Sequence, residues 1–100
     1  MVGQVVFSKC GRDKGMVFVV VAADGEYVFL ADGKLRPLNK PKKKKAKHTQ
    51  PTRIFVGYEI AATKPGGVKD ADIRKWLLPF FKYSPKVNDN EEVSNWQRMT

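Results

Sequence analysis

The chain has 100 residues, a net charge of +9 and 42% apolar residues, so we expect a single small domain, and the apolar content excludes a disordered chain. Its single cysteine excludes an internal disulfide, and its longest apolar run, residues 16–23, is far shorter than the roughly 20 residues of a membrane span. Because the sequence also begins without a signal-peptide pattern, we expect a cytoplasmic protein that does not insert into a membrane.

Positive charge is concentrated in the first half of the chain. Residues 1–53 contain 12 Lys and Arg against 4 Asp and Glu, whereas residues 54–100 contain 7 against 6. The two halves therefore carry +8 and +1. A strongly basic half indicates a polyanionic partner, and we expect nucleic acid before an acidic membrane surface.

Three antiparallel strands are predicted over residues 4–9, 16–23 and 26–31. Each segment is rich in β-branched and aromatic residues. Asp24 and Gly25 separate the second strand from the third, and this dipeptide favours a tight hairpin turn. The second and third strands are apolar on both faces. They are therefore either covered on both sides or expose an apolar surface to a partner.

The segment that follows is basic and contains prolines, which interrupt strands and helices. Residues 34–38 could form a fourth strand, which Pro37 would restrict to an edge or a strand end. Residues 40–47 hold six lysines, and like charges at this density predict a solvated loop or a loosely ordered edge. His48 is compatible with the start of a short closing strand, and Pro51 predicts a boundary. The signal of residues 53–62 is mixed, because its apolar residues favour a strand and Gly57 weakens it.

An amphipathic helix is predicted over about residues 70–81, with Asp70 as its N-cap. The apolar residues of this segment recur with helical spacing and form one stripe: Ile73, Trp76, Leu77, Phe80 and Phe81. Pro79 lies inside the stripe, so the helix either stops near Leu78 or kinks there. Residues 84–100 are polar and acidic and predict a frayed tail.

The first turn and its flanking strands resemble the KOW motif of ribosomal proteins and transcription elongation factors. The resemblance rests on Gly3, the basic turn from Lys9 to Gly15 and the apolar strand that follows it. The wider span, through Arg36 and the lysine run to His48, is similar to KOW-domain RNA-binding proteins related to archaeal and eukaryotic large-subunit ribosomal proteins of the "fourteen-e" type. The resemblance covers about half of the chain.

This resemblance implies a small SH3-like barrel. The helix and the tail are not part of the KOW pattern, and with them the sequence predicts a mainly β fold in which the barrel is followed by a C-terminal amphipathic helix and a frayed tail. We expect the barrel over residues 1–52, with a lysine-rich loop at 40–47, an extension over 53–83 whose helix packs on the outer face of the barrel, and a flexible tail over 84–100. The resemblance also implies binding of RNA, expected to be ribosomal RNA or RNA on the ribosome, through the basic segments. The expected RNA-binding residues are Lys9, Arg12, Lys14, Gly15, Arg36, Lys40, Lys42, Lys43, Lys44, Lys45 and Lys47.

Each of these signals has a plainer alternative. The glycines are needed for the turn whether or not RNA binds, and the lysine run is compatible with a merely solubilising segment. An SH3-like module that holds a protein through residues 73–81, or a transcription-associated KOW factor that binds DNA, remains open. One histidine and one cysteine make no zinc site, and no spacing suggests a catalytic pair. We therefore expect neither a cofactor nor an enzyme.

Overall fold

The structure, a computed structural model, describes residues 1–83, so the predicted tail lies outside the described residues. It is mainly β, with five antiparallel strands followed by two short helices. The elements are β1 (Gln4–Ser8), β2 (Val17–Asp24), β3 (Tyr27–Ala31), β4 (Lys42–Lys45), β5 (Thr49–Phe55), α1 (Tyr58–Ala62) and α2 (Asp70–Leu77), with 3-10 turns at Ala46–His48 and Leu78–Tyr83. The three strands predicted from the apolar patterns are confirmed to within one residue at each end.

The five strands form one sheet in the order β4-β3-β2-β1-β5, and all neighbours are antiparallel. The two edge strands, β4 and β5, are joined only by the 3-10 turn Ala46–His48. In a flat sheet these strands would lie about 19 Å apart, at about 4.8 Å per spacing. Three 3-10 residues advance the chain by only about 6 Å. The sheet is therefore strongly curled, and its two edges approach each other at this turn.

Apolar side chains cover both faces of the curled sheet. One cluster combines sheet residues with α2 and consists of Val5, Val17, Val19, Ile73 and Leu77. The other consists of Val6, Phe18, Val20, Val28 and Leu30, and Ala46 of the edge-joining turn packs against it. Successive strand residues point to opposite faces, so β1 and β2 supply both clusters. Of the two alternatives for the doubly apolar strand β2, the structure shows that it is covered on both sides.

Helix α2 ends at Leu77 and continues as a 3-10 turn that contains Pro79. The first of the two alternatives for this proline, an α-helix that stops near Leu78, is therefore correct. Within the apolar stripe, Ile73 and Leu77 are fully buried against the sheet, while Trp76 and Phe80 are half-buried beside them. The stripe therefore serves mainly to pack the helix on the sheet.

The start of α2 is tied to the turn that follows β3. Asp70 is the first helical residue and Lys69 is the N-cap, so the N-cap predicted at Asp70 is wrong by one residue. Asp70 Oδ1 accepts a hydrogen bond of 2.7 Å from the backbone N–H of Leu38. Arg74 donates from Nη1 to the Gly33 carbonyl at 2.6 Å. Gly33 has a φ of +79°, and a Cβ added there would lie 2.5 Å from the Asp70 carbonyl oxygen. The backbones of α2 and of this turn are therefore so close at position 33 that only a residue without a Cβ fits between them.

Three local predictions differ from the structure. Residues 34–38 form a turn and not a fourth strand, because the Asp32 carboxylate accepts hydrogen bonds from the backbone of Lys34 and Arg36. Pro51 lies inside β5, where an edge position tolerates its missing N–H, so the boundary predicted after residue 52 falls within a strand. Residues 58–62 are helical, since a short apolar run does not by itself distinguish a helix from a strand. The division of the chain into a barrel and an extension stays a prediction.

Candidate nucleic-acid interface

The turn between β1 and β2 presents cations outward and one carboxylate inward. Lys9, Arg12 and Lys14 are exposed, whereas Asp13 is buried between them. Asp13 Oδ1 accepts hydrogen bonds from Ser8 Oγ at 2.7 Å and from Lys44 Nζ at 3.0 Å. Gly15 closes the turn with a φ of +87°, a conformation that a side chain would strain. The turn is thus fixed from within by Asp13 while its basic side chains remain in solvent.

The lysine run is a strand, β4, which pairs with β3 at one edge of the sheet. Of the two alternatives for residues 40–47, the ordered edge is therefore correct and the lysine-rich loop is wrong over Lys42–Lys45. The strand forms despite the repulsion between like charges because the backbone of β4 is hydrogen-bonded to that of β3. The lysine side chains also alternate between opposite sides of the strand, which separates neighbouring charges.

Lys42 and Lys44 lie on the side of β4 that faces the first turn. Lys44 Nζ bonds to Asp13 Oδ1 and also donates to the Cys10 carbonyl at 3.1 Å, and only 9% of its side chain is exposed. Lys42 Nζ lies 3.6 Å from Asp13 Oδ2, with 29% of its side chain exposed. These two lysines therefore hold β4 against the turn, and Lys44 in particular is committed to that contact.

Lys43 and Lys45 lie on the other side of the strand. Lys43 Nζ sits 4.5 Å from the centre of the Tyr27 ring, a cation–π contact at an exposed position. Lys45 pairs through its backbone register with Tyr27, next to the β2–β3 hairpin that carries Asp24 and Glu26. The run that looked uniform in the sequence thus divides into an inward pair and an outward pair.

Asp13 stays ionised in this environment. Burial raises the pKa of its carboxyl, but hydrogen bonds from Ser8 and Lys44 and the charges of Lys44 and Lys42 outweigh that effect, so the pKa lies below its ordinary value. Oδ2 is buried and has no hydrogen-bond partner, so the nearby Lys42 ammonium compensates it only through charge. The carboxylate therefore needs both lysines to remain in place.

A backbone contact brings Lys9 close to the end of the lysine run. The backbone N–H of Lys9 donates to the His48 carbonyl at 2.8 Å, which places Lys9 beside the turn that contains Lys47. Within residues 1–83, both ion pairs of the structure involve Asp13. The predicted cations that have no ion pair in this part of the chain are Lys9, Arg12, Lys14, Arg36, Lys40, Lys43, Lys45 and Lys47.

A cavity of about 420 Å³ lies between the first turn and the turn after β3. Its lining combines basic, acidic and apolar side chains: Arg12, Asp13, Met16, Phe18, Asp32, Leu35, Arg36 and Lys42. We call it the groove. Asp13, Asp32 and the groove were not among the sites predicted from the sequence. The signal in the sequence is an acidic residue placed inside an otherwise basic turn, which solvation alone does not explain.

Other kinds of site find less support in the described residues. In residues 1–83, no group of three or more His, Cys, Asp or Glu side chains is arranged to hold a metal ion. Cys10 is a free, half-buried thiol. No helix in this part of the chain is both long and apolar enough to cross a membrane.

Comparison with known proteins adds no relative. No model of a known protein family matches the chain, and no curated protein sequence matches it. The resemblance to KOW proteins therefore rests on the motif residues themselves.

Proposed function

We propose that this protein binds structured RNA, through contacts between its basic surface and RNA phosphates, and that it acts on the ribosome or in translation. The basic surface consists of the eight predicted cations that have no ion pair within residues 1–83: Lys9, Arg12, Lys14, Arg36, Lys40, Lys43, Lys45 and Lys47. The observation that carries the proposal is the bond between Asp13 and Lys44, which joins two basic segments 31 residues apart in the chain. Because of it, the cations of the first turn lie close to those of β4, with Lys43 and Lys45 on the side of β4 that faces away from the turn.

The arrangement suits phosphate binding. Eight predicted cations have no ion pair within residues 1–83, so their charge remains available for a polyanion. The turn that carries Arg12 and Lys14 is fixed by the buried Asp13, and a fixed turn loses less entropy when a ligand binds. Lys44 is enclosed in the fold, and we assign it to support of the surface and not to contact with RNA.

The fold is consistent with the resemblance. We propose that the curled sheet closes into a small SH3-like barrel, in which the turn after β1 corresponds to the basic loop of the KOW motif. The strand order and the three-residue connection between the edge strands support this proposal. Small barrels use the loops between their strands to bind nucleic acid.

A protein-docking role for the helix stripe is less well supported. Ile73 and Leu77 are fully buried in the sheet contact, so they are not available to a partner without unfolding. A DNA-binding role uses the same cations and is separated from RNA binding by competition between RNA and DNA of equal length.

The salt dependence of RNA binding tests the proposal. Substituting Arg12→Ala together with Lys14→Ala removes two exposed cations from the basic surface. The slope of log affinity against log salt should become shallower by roughly 1.4 to 1.8 if both contact phosphates. The matched control, Lys64→Ala with Lys75→Ala, removes two exposed cations from the second half of the chain and should leave the slope nearly unchanged.

Two results would contradict the proposal. One is the absence of measurable binding to any structured RNA at low salt. The other is an equal effect of the two double variants, because binding would then follow net charge and not this surface. Urea unfolding of both variants, which we expect to match that of the wild type, confirms that the comparison concerns binding alone.

A further inference from the structure

We infer that the groove holds the base of one unpaired RNA nucleotide, with the neighbouring phosphate bound by Arg12 and Arg36. This inference rests on the proposed function and adds to it the kind of RNA that is recognised. The volume of about 420 Å³ lies within the range of about 300–1,000 Å³ that is typical of ligand pockets.

Both walls of the groove are fixed before any ligand binds. The first is held by Asp13 through Ser8 and Lys44. The second is held by Asp32, whose Oδ1 accepts two backbone N–H groups at 2.8 Å. Helix α2 braces the second wall through the bond from Arg74 to Gly33. A cavity between two such walls keeps its shape in the free protein and is ready for a ligand.

The charges of the groove point to an anion at its rim. The Asp13 carboxylate faces its two lysines, and Asp32 Oδ1 is bonded to the backbone of its own turn. Arg12 and Arg36 are exposed and have no ion pair within residues 1–83. Two guanidinium groups near one cavity suit a phosphate, which they bind with planar, bidentate geometry.

The apolar lining selects an unpaired nucleotide over a paired one. Met16 and Phe18 lie deeper in the fold than Leu35, whose side chain is 73% exposed at the rim. In a duplex the bases are stacked inside, so a concave apolar surface would meet only phosphates and sugars. An unstacked nucleotide offers a flat apolar base together with a phosphate, and arginine planes and apolar side chains stack on such bases.

The test compares two blunt-ended RNA duplexes with the same number of base pairs, one fully paired and one that carries a single bulged nucleotide in addition. We expect the wild type to prefer the bulged duplex about tenfold, within the range for stacking one base. Leu35→Gln should remove this preference and leave affinity for the paired duplex unchanged. Ile60→Gln, at a side chain that is 69% exposed and outside the groove, should retain it.

Equal affinity of the wild type for both duplexes would overturn the inference, and so would an undiminished preference in Leu35→Gln. In either case steep, salt-sensitive binding to both duplexes would leave the proposed function standing. Failure to bind either duplex would overturn both. An equimolar free nucleoside monophosphate should not displace the bulged duplex, and displacement would assign the groove to a free nucleotide instead.

Discussion

Replacing Lys44 with alanine should destabilise the fold far more than replacing its neighbour Lys43. The ammonium of Lys44 is enclosed and bonds to Asp13 at 3.0 Å and to the Cys10 carbonyl at 3.1 Å. Its removal leaves a buried carboxylate with only Ser8 as a hydrogen-bond donor and Lys42 at 3.6 Å. Bonds to charged groups contribute about 1.5–3 kcal/mol, so we expect Lys44→Ala to lower the free energy of unfolding by about 2–3 kcal/mol.

The matched variant Lys43→Ala removes an exposed cation–π contact with Tyr27, which contributes about 0.5–1 kcal/mol. Urea unfolding followed by far-UV circular dichroism measures both variants. With a slope of about 1 kcal/mol per molar urea, Lys44→Ala should lower the midpoint by roughly 2–3 M and Lys43→Ala by less than about 1 M.

A second background isolates the pair from other effects of the substitution. In Asp13→Asn the carboxylate charge is absent, so Lys44→Ala should be less destabilising there than in the wild type, by about 1–2 kcal/mol. Equal losses for Lys44→Ala and Lys43→Ala would refute the reasoning, and so would the same loss for Lys44→Ala in both backgrounds. Either result would mean that the ion pair does not hold β4 against the first turn.

Three further predictions concern the same fold. Folding lowers the pKa of Asp13, so the stabilisation by its carboxylate is complete above the ordinary carboxyl pKa of about 3.9 and is lost as the pH falls through the folded pKa. The difference in unfolding free energy between the wild type and Asp13→Asn should therefore shrink in acid. A difference that stays constant with pH would contradict this prediction. Gly33→Ala should lower the calorimetric melting temperature more than Gly25→Ala does. Both glycines have positive φ, but only at Gly33 would the new Cβ lie 2.5 Å from a backbone atom of α2, the Asp70 carbonyl oxygen. Equal shifts would show that the clash is relieved. Leu77→Ala should lower the free energy of unfolding in urea by about 2–5 kcal/mol, because Leu77 is fully buried. Leu78 is 62% exposed, so Leu78→Ala should change that free energy by less than about 0.5 kcal/mol. Similar losses for the two variants would argue against packing of the helix on the sheet.

The strands and the helix could be predicted because their signals are local. The first three strands follow from apolar residues in extended segments and from Gly25, which permits a tight hairpin turn. The turn itself is Gly25-Glu26 and not Asp24-Gly25, because Asp24 ends β2 and pairs with Tyr27. The buried face of α2 follows from the spacing of Ile73 and Leu77, and Pro79 marks its end. In each case a few neighbouring residues are sufficient to decide the structure.

The lysine strand and the groove could not be predicted in the same way. Local composition favours a loop for Lys42–Lys45, and the strand forms because β3 supplies a partner and Asp13 supplies a counter-charge. The groove exists because residues 12–16 and residues 32–36 meet across the fold, which no local pattern indicates. The composition of the run therefore does not distinguish the enclosed Lys44 from the exposed Lys43, whereas the structure separates them.

The order of strands in the sheet has a consequence for how the protein folds. The strands β1 to β4 each pair with the next strand in sequence, so they can form as successive hairpins. The pairing of β1 with β5 is different, because it requires a loop of about 40 residues to close. That pairing also brings Lys9 against His48. A chain in which β1 and β5 are not yet paired therefore already carries all its lysines but lacks their fixed spacing. For the RNA binding proposed above, this means that discrimination between RNA shapes requires the pairing of the fifth strand with the first.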